Sequence, residues 1–366
     1  MKSRSPKRRR RSDERCGRCA KRKHLYLALD DWSGGYSVHK LDPDDMPEHL
    51  PETPAVRVTG PDWGTMAFAA FGANLLIAVN QPYGGGMFHA APPALIYSAD
   101  TGATTAGPQL PHDHIYDLDD AMTAGGRLYA RSSVLSKGAG SFSGHLQVLA
   151  STDMEDLYDP SLMWGWSSSS TPPLLDTEEK ITCHAVHPDG RTIFMSTNWK
   201  RTFSFDTGNG EWKELGDWVL PFKGQAYFDR DLDAWVGLHA RDDGYVCLCP
   251  VASRTAAADV RSPECTVLEE KLCRYKEDEQ RNNCPMWSRT KEKATTLTYM
   301  GDGRFCLVEN IPCGEYVIRD GSVVHVTLFG LKYDHNGELR TKVHRTTRSY
   351  AVSKNAPSFS HAIFWL

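Results

Sequence analysis

The sequence predicts an all-β protein with a kelch-like β-propeller fold. Apolar or aromatic runs of four to seven residues alternate with turns that contain Asp-Gly, Thr-Gly or Gly-Gly, a pattern typical of antiparallel strands joined by hairpins. One strand-turn motif, Tyr97–Gly102, returns at Phe203–Gly208, and residues 148–153 resemble a displaced copy. Strand-like runs at both ends of the chain, near His24 and Leu366, can pair and close a ring of sheets.

The predicted strands follow one another from residue 24 to the end of the chain. Each is a short run rich in β-branched, aromatic or aliphatic residues, and Gly or Asp turns bound most of them. In chain order they cover residues 24–29, 36–38, 66–71, 75–80, 94–98, 121–123, 128–130, 145–150, 192–195, 202–205, 234–238, 245–248, 296–299, 305–308, 323–333, 348–352 and 362–366.

The spacing of the repeated motif predicts the number of blades. Its two clear copies lie about two kelch units apart, each unit being roughly 50 residues. Five internal units can be counted, and the N-terminal strand completes a sixth with the C-terminal strands. We therefore predict about six blades, with five or seven as alternatives. Closing the ring removes the exposed sheet edges that an open sheet would leave.

Charge divides the chain into an arm and a body. Residues 1–23 carry twelve Lys/Arg against Asp13 and Glu14, and the remainder has a net charge of −14. The arm lacks apolar periodicity, so we expect it to be disordered, and residues 24–366 form the propeller domain. Segments with loop composition are 42–54, 164–176 and a highly charged insertion at about 252–293.

Composition excludes several classes of protein. No apolar run approaches the roughly 18 residues of a membrane-spanning helix, and the N-terminus lacks the apolar segment of a secretory signal. The ten cysteines are therefore interpreted as reduced thiols. Nucleic acid is not an expected ligand of the acidic body, because phosphate neutralisation supplies most non-specific affinity; weak contact through the arm stays open.

The middle third of the chain carries a set of motifs at 189–193, 202–207, 216–222, 224–226 and 232–237. Together these motifs resemble a plant family of unknown function that is much expanded in grasses. The middle of the chain carries the most specific similarity, and the segments from 24 to 37 and from 329 to 339 are similar to the same family. The resemblance covers roughly residues 24–352. It implies a propeller similar to kelch and F-box-associated propellers, although no F-box-like helical segment precedes it here.

The arm has the form of a bipartite nuclear-import signal. Two basic clusters with a flexible spacer can occupy two acidic grooves of an import receptor. A solvated basic tail, an RNA-contacting tail and a mitochondrial presequence are alternatives, the last being weakest because the arm lacks an apolar face. We expect nuclear or nucleo-cytoplasmic localisation, with cytoplasmic as the alternative. The residues are Lys7, Arg8, Arg9, Arg10, Arg11, Lys21, Arg22 and Lys23.

Neither a metal site nor a cofactor is predicted. Cys16 and Cys19 have the spacing of half a zinc site, but no second half follows at finger or ribbon distance. His112-Asp113-His114 follows Pro111, and the two imidazoles could bind a metal or titrate near neutral pH. The simpler interpretation is a loop that exposes two histidines.

No catalytic residue is predicted. The chain lacks a Gly-x-Ser-x-Gly elbow, a P-loop and a His-Glu-x-x-His motif. Acidic clusters at 117–120 and 229–233 could supply paired carboxylates for glycoside or metal chemistry. In a propeller rich in Asp-containing turns, the same residues are better explained as turn formers.

The tryptophans divide into two predicted groups. Trp32, Trp212, Trp218 and Trp235 sit beside turns and among apolar runs, which favours packing in the blade core. A second group lies in segments of loop composition and could form a partner surface. It consists of Trp164, Trp166, Trp199 and Trp287, together with His112, Asp113 and His114.

These observations favour a non-enzymatic interaction scaffold for a protein or peptide partner, with an import receptor as a further partner of the arm. The alternative is a propeller enzyme of the lactonase or glycosidase type, with acidic residues lining the central channel. Convergence of several Asp, Glu or His side chains at one channel mouth would favour the enzyme.

Overall fold

A computed structural model describes residues 22–32, 34–60, 65–80, 94–108, 114–135, 142–151, 164–168, 179–242, 244–253, 263–273, 295–312, 322–342, 345–352 and 361–366. Side chains are not described at 65, 80, 114–120, 132–135, 142–145, 151, 168 and 312. Within these ranges the regular structure is all strand, and no helix is long and apolar enough to cross a membrane.

The strands are short, as the turn spacing predicts. Their bounds in chain order are β1 Leu25–Trp32, β2 Gly35–Leu41, β3 Val56–Thr59, β4 Thr65–Phe71, β5 Asn74–Asn80, β6 Leu95–Ser98, β7 Thr104–Ala106, β8 His114–Ala124, β9 Arg127–Leu135, β10 Phe142–Ser151, β11 Trp164–Ser168, β12 Ile181–Val186, β13 Thr192–Thr197, β14 Thr202–Asp206, β15 Glu211–Gly216, β16 Phe222–Asp229, β17 Ala234–His239, β18 Val246–Pro250, β19 Thr266–Val267, β20 Thr295–Gly301, β21 Arg304–Pro312, β22 Ser322–Tyr333, β23 Leu339–Thr341, β24 Thr346–Val352 and β25 His361–Trp365.

The strands that the structure describes fall into six antiparallel groups. These are β25-β1-β2-β3, β4 to β7, β8 to β11, β12 to β15, β16 to β19, and β20 to β22 with β23 and β24 both paired to β22. Parallel pairing of β12 with β16 joins the fourth and fifth groups into one eight-stranded sheet. The grouping agrees with the predicted repeat, and six blades stays a prediction for the whole chain.

The first strands of the groups lie side by side around a common centre. β4 contacts β8, β8 contacts β12, and the series continues through β16 and β20 to β25. Each later strand of a group lies further out, because it pairs with the one before it. Sheets arranged in this way around their inner strands form a β-propeller, which confirms the predicted fold class.

The two ends of the chain close the ring in one sheet, as predicted. β25 pairs antiparallel with β1, in a register that places Leu25 opposite Trp365 and Leu29 opposite His361. The His24 amide donates to the Leu366 carbonyl at 2.8 Å, and the Leu366 amide donates back at 3.1 Å. The C-terminus thus supplies the inner strand and the N-terminus the other three strands of the same sheet.

The hydrophobic core lies between neighbouring sheets. Trp235 is fully buried between the fourth and fifth groups, where its indole Nε1 donates to the Val186 carbonyl at 2.8 Å. Trp218 is buried in the same cluster. Trp212 lies on the outer strand β15, partly exposed, and its ring packs 4.6 Å from that of Phe205. Trp218 and Trp235 therefore pack in the core, whereas Trp212 lies at the edge of a neighbouring cluster.

Strand order gives the propeller two different ends. Turns between the first and second strands of a group, and between the third and fourth, meet at one end, which we call the turn face. Connections between the second and third strands, and from one sheet to the next, meet at the other end, the loop face. Both copies of the repeated motif, at 97–102 and 203–208, form third-to-fourth-strand turns on the turn face.

Candidate functional site

An exposed tryptophan marks the loop face at the fourth group. β13 ends at Thr197 and β14 begins at Thr202, and the connecting turn leaves the Trp199 side chain 47% exposed. The Lys200 amide donates to the Thr197 carbonyl at 3.0 Å, and the Thr197 amide donates to the Arg201 carbonyl at 2.9 Å. Lys200 has a positive φ of 62°, which a non-glycine residue adopts only when its surroundings hold it there. The turn is therefore a defined structure.

A buried ion pair supports this turn from below. The Glu179 side chain is fully buried, and its carboxylate accepts hydrogen bonds from Thr197 Oγ1 at 2.6 Å and Arg201 Nε at 3.1 Å. The hydrogen bond to Glu179 raises the pKa of the Arg201 guanidinium. The same guanidinium lies 5.9 Å from the centre of the Trp199 ring and 5.0 Å from that of Phe203. Arg201 thus links the exposed indole to a fixed, buried charge.

A hydroxyl network ties the turn to the next connection at the same face. Ser196 Oγ and Thr202 Oγ1 lie 2.8 Å apart, and Thr202 Oγ1 donates to the Trp218 carbonyl at 2.5 Å. The Leu220 amide donates to Ser196 Oγ at 2.9 Å. All three hydrogen bonds are buried, so they fix the 217–221 connection against the base of the Trp199 turn.

Two exposed lysines lie beside the exposed indole. Lys180 and Lys200 are exposed, and the Lys180 amide donates to Asn198 Oδ1 within the turn at 2.8 Å. Arg241 is exposed on the β17–β18 connection, which the Ala240 amide joins to the Pro221 carbonyl at 2.9 Å. Asp217 and Asp242 are exposed at the same face, the latter 3.0 Å from His239. The exposed Glu214 carboxylate lies 3.5 Å from Arg201, so the loop face at groups four and five presents an aromatic side chain among charges of both signs, with two lysines next to it.

A second polar pair lies at the loop face of the first group. His39 Nε2 and Asp31 Oδ2 are 3.0 Å apart, and both side chains are largely buried. Burial alone would raise the pKa of the Asp31 carboxyl, but hydrogen bonds from His39 and Ser37 lower it. The pair holds the end of β1 against β2.

Aspartates on the turn face have a structural task. Asp189 Oδ1 accepts the amides of Arg191 and Thr192 at 3.0 and 2.9 Å, and backbone hydrogen bonds lower the pKa of Asp189 against the opposing effect of burial. Asp206, Asp229 and Asp334 likewise accept amides within their own turns. Asp229 belongs to the predicted acidic cluster 229–233, and this bond supports its interpretation as a turn former.

The described inner strands carry scattered ionisable groups, namely Cys183, His184, Lys223, Tyr227, Asp229, Tyr299 and His361. His184 on β12 is buried, and burial lowers its pKa to about 4, which keeps the imidazole neutral. In the described part of the chain, no three His, Cys, Asp or Glu side chains are grouped to hold a metal ion. The side chains at 117–120 lie outside the described residues, as do Cys16, Cys19, His112 and Asp113.

The predicted partner residues are only partly brought together. Trp199 lies on the loop face, where β8 also begins at His114, whose side chain is not described; Trp287 lies outside the described residues. Trp164 and Trp166 differ from the prediction, because they lie in strand β11 and not in a loop. Both are partly buried, and the Trp164 ring meets Phe71 edge-on at 4.9 Å. Pairing with β10 makes this Trp-Gly-Trp segment an outer strand.

Most of the basic arm lies outside the described residues. The exceptions among its predicted import residues are Arg22 and Lys23. Arg22 is anchored on the turn face, where its guanidinium lies 2.9 Å from Asp42 and 3.0 Å from Asp44. The arm therefore joins the propeller at the face opposite Trp199.

Sequence reasoning missed Glu179. It sits at the end of a Ser- and Pro-rich segment that has loop composition, and nothing in the sequence distinguishes it from neighbouring acidic residues. Its partner Arg201 lies beyond the β12–β13 hairpin, so only the fold brings the two charges together.

Structural comparisons give distant similarities. A Bacteroides thetaiotaomicron protein of unknown function is 11% identical with a TM-score of 0.40; the match covers 87% of this chain but only 64% of that one. A chain of a nidogen/laminin complex is 11% identical with a TM-score of 0.41, over 92% of this chain and 98% of that chain. Kluyveromyces lactis Hsv2 is 11% identical with a TM-score of 0.37, over 85% and 92%. At these TM-scores the similarities carry no functional argument.

Sequence comparison is more decisive about the family. No curated protein matches the chain. A family model described as a protein of unknown function, DUF1668, matches residues 22–350, which is nearly the whole propeller. The chain therefore belongs to the DUF1668 family.

Proposed function

We propose that this protein is a non-enzymatic scaffold in a plant cell, and that it binds a protein or peptide partner through the loop face around Trp199. The observation that carries the proposal is an indole, 47% exposed, on a turn fixed by a buried ion pair and a hydroxyl network. Tryptophan and arginine are the residues most enriched at interface hot spots. A rigid anchor also binds at a lower entropic cost than a mobile one.

The charges around Trp199 favour an acidic peptide as the partner. Lys180 and Lys200 are exposed beside the indole, whereas the chain after residue 23 has a net charge of −14. A local basic region on an acidic body attracts short acidic segments at close range. The surrounding negative charge disfavours long polyanions such as nucleic acid, which depend on phosphate neutralisation over a wide surface.

The turn-face aspartates support the scaffold over a hydrolase of the lactonase or glycosidase type. A catalytic carboxylate needs an oxygen free to reach substrate. The described oxygens of Asp189, Asp206 and Asp334 instead accept backbone amides in tight turns.

We also propose that the basic arm directs nuclear import. Its attachment at Arg22 on the turn face separates it from the Trp199 surface by the full height of the propeller. An import receptor on the arm would therefore leave the loop face open to a partner.

A matched pair of substitutions tests the scaffold proposal. Among the described residues, Trp199 at 47% and Tyr333 at 46% are the exposed large hydrophobic side chains. Tyr333 ends β22 on the turn face. Tyr333→Ala is therefore the control, because it removes a similarly exposed aromatic side chain from the opposite face. Proximity labelling in plant cells compares the wild type with Trp199→Ala and Tyr333→Ala.

We expect a set of labelled proteins that Trp199→Ala loses and Tyr333→Ala keeps. A purified candidate from this set should bind the wild type at least tenfold more tightly than Trp199→Ala. Equal binding by Trp199→Ala and the wild type would refute the loop-face proposal. Turnover of a lactone or glycoside by the purified protein would refute the non-enzymatic role.

A further inference from the structure

A group of thiols packs between the fourth and fifth sheets. Cys183 on β12 and both Cys247 and Cys249 on β18 are buried, and Cys265, just before β19, is partly exposed. All four are free thiols. Cys265 shares a hydrogen bond with the Cys247 thiol and lies near enough to Cys249 to affect its ionisation. The fold therefore collects thiols from three separate chain segments.

Strand register places one pair of these thiols directly opposite each other. Along β18 and β19, Cys247 faces Val267 and Leu248 faces Thr266, so the next step of the register sets Cys249 against Cys265. The Leu268 amide donates to the Val246 carbonyl at 2.9 Å. Hydrogen-bonded and non-hydrogen-bonded pairs alternate, so Cys249 and Cys265 occupy a non-hydrogen-bonded position.

Such a position suits a disulfide. Cα atoms of non-hydrogen-bonded antiparallel pairs lie about 4.5 Å apart, within the roughly 4.4–6.8 Å that disulfides span. Cys247 lies two residues before Cys249 on the same face of β18. Its position is therefore diagonal to that of Cys265, at a separation of about 7–8 Å. Cys249 is therefore the better placed partner for Cys265, even though Cys247 touches it.

We propose that Cys265 is a peroxide-sensitive thiol that closes a disulfide with a cysteine of β18, Cys249 according to the register. The inference is independent of the function proposed for Trp199. In the first step the Cys265 thiolate attacks a peroxide oxygen, the O–O bond breaks, and a sulfenic acid forms while hydroxide leaves. In the second step the β18 thiol attacks the sulfenic sulfur, the S–O bond breaks and water leaves. Two thiols are oxidised, and hydrogen peroxide is reduced to water.

Exposure decides which thiol reacts first. Cys265 is the partly exposed member of the group, whereas Cys249 and Cys247 are fully buried. Burial, together with the neighbouring thiols, raises the pKa of Cys249 to about 12 and also raises the pKa of Cys247. The β18 thiols are therefore poor primary targets for peroxide, because the thiolate is the reactive form. While the pH stays below these pKa values, each unit of pH increase raises the fraction of β18 thiolate about tenfold, and the rate of disulfide closure should rise with it.

Non-reducing peptide mapping of the purified full-length protein tests the proposal. Reduced protein is treated with hydrogen peroxide, denatured, alkylated and digested with trypsin. Cleavage after Arg241, Arg254, Arg261 and Lys271 releases Cys247 and Cys249 on one peptide and Cys265 on another. We expect these two peptides to be joined, to separate with dithiothreitol, and to join faster at higher pH.

Two variants supply the controls. Cys265→Ser should lose the joined peptides, whereas Cys273→Ser, which removes a buried cysteine later in the same segment, should keep them. Cys306, buried in the last sheet, should be recovered as an alkylated thiol. The wild-type map does not depend on the folding of any variant. Recovery of Cys265 only as alkylated thiol, or only as sulfinic or sulfonic acid, would overturn the proposal.

Discussion

The first-to-second-strand turns distinguish the turn face of the propeller from the loop face. On the turn face, first-to-second-strand turns at 72–73, 125–126, 230–233 and 302–303 are tight, and positive φ angles recur there at Gly72, Gly125, Asp233 and Gly303. Longer connections occur on both faces, from Leu41 to Val56 and from Pro250 to Thr266 on the turn face, and from Asn80 to Leu95 and from Val352 to His361 on the loop face. Tight turns fix strand register, whereas longer connections can vary without disturbing the sheets.

The two faces also use their polar side chains differently. Polar side chains on the turn face, such as Asp189 and Asp206, are used to close turns. On the loop face, Glu179 and Arg201 are instead used to hold an exposed indole in place. We expect substitutions between the sheets and near the turn face to change folding, and substitutions at the loop-face surface to change binding.

The largest expected effect comes from Trp235, which packs near the turn face. Trp235→Ala removes a fully buried indole and its hydrogen bond to the Val186 carbonyl, and should cost about 3–5 kcal/mol of unfolding free energy. Urea denaturation measures the loss. The matched control Trp199→Ala removes an exposed indole and should stay within about 0.5 kcal/mol of the wild type. Equal losses in the two variants would abolish the contrast between the faces.

His184 tests the inner strands that connect the two faces. Its pKa is about 4 in the folded protein against 6.5 for an unperturbed histidine, so the unfolded state binds a proton first as pH falls. This group's contribution is fully present above pH 6.5 and declines as pH falls to 4, a loss of about 3 kcal/mol. Urea titrations at several pH values should show a shallower decline for His184→Gln. An unchanged slope would contradict the buried, neutral imidazole.

Arg201 tests whether the buried ion pair supports the Trp199 turn on the loop face. Arg201→Met keeps much of the side-chain volume but leaves the buried Glu179 carboxylate without the guanidinium, at a cost of about 1–3 kcal/mol. Chemical denaturation gives the cost, and partner binding should weaken as the Trp199 turn loosens. Glu179→Gln in the same background should recover part of the stability, because it removes the stranded charge. No recovery would mean that the pair does not support the turn.

The smallest expected effect on stability belongs to the arm. Deleting residues 1–23 removes the exposed pairs of Arg22 with Asp42 and Asp44, worth no more than about 1 kcal/mol. A fluorescent fusion should nevertheless move from nucleus to cytoplasm. Glutamine in place of the basic residues from 7 to 11 is the control that keeps the arm's length. A truncated fusion that stays nuclear would show that the arm is not the import signal.

Particular residues show how far sequence reasoning reached. The pairing of the strands near His24 and Leu366 followed from the need to close a ring, and the burial of Trp218 and Trp235 followed from their place among apolar runs. Trp164 and Trp166 were assigned to a loop because Ser and Pro follow them, although pairing with β10 makes an outer strand. Outer strands carry a weak sequence signal, since only one edge is paired and one side is partly exposed.

Local structure follows from the order of residues alone: short strands of β-forming residues, with Gly and Asp turns between them. These features depend on neighbours in the chain, so the order of residues is enough to specify them. The relative positions of distant segments depend on the assembled sheets: Glu179 lies beneath Trp199, Cys265 lies beside the two cysteines of β18, and Arg22 leaves from the opposite face. Each of these depends on how sheets stack and close around a centre, because contacts between distant segments are set by that arrangement and not by local pattern.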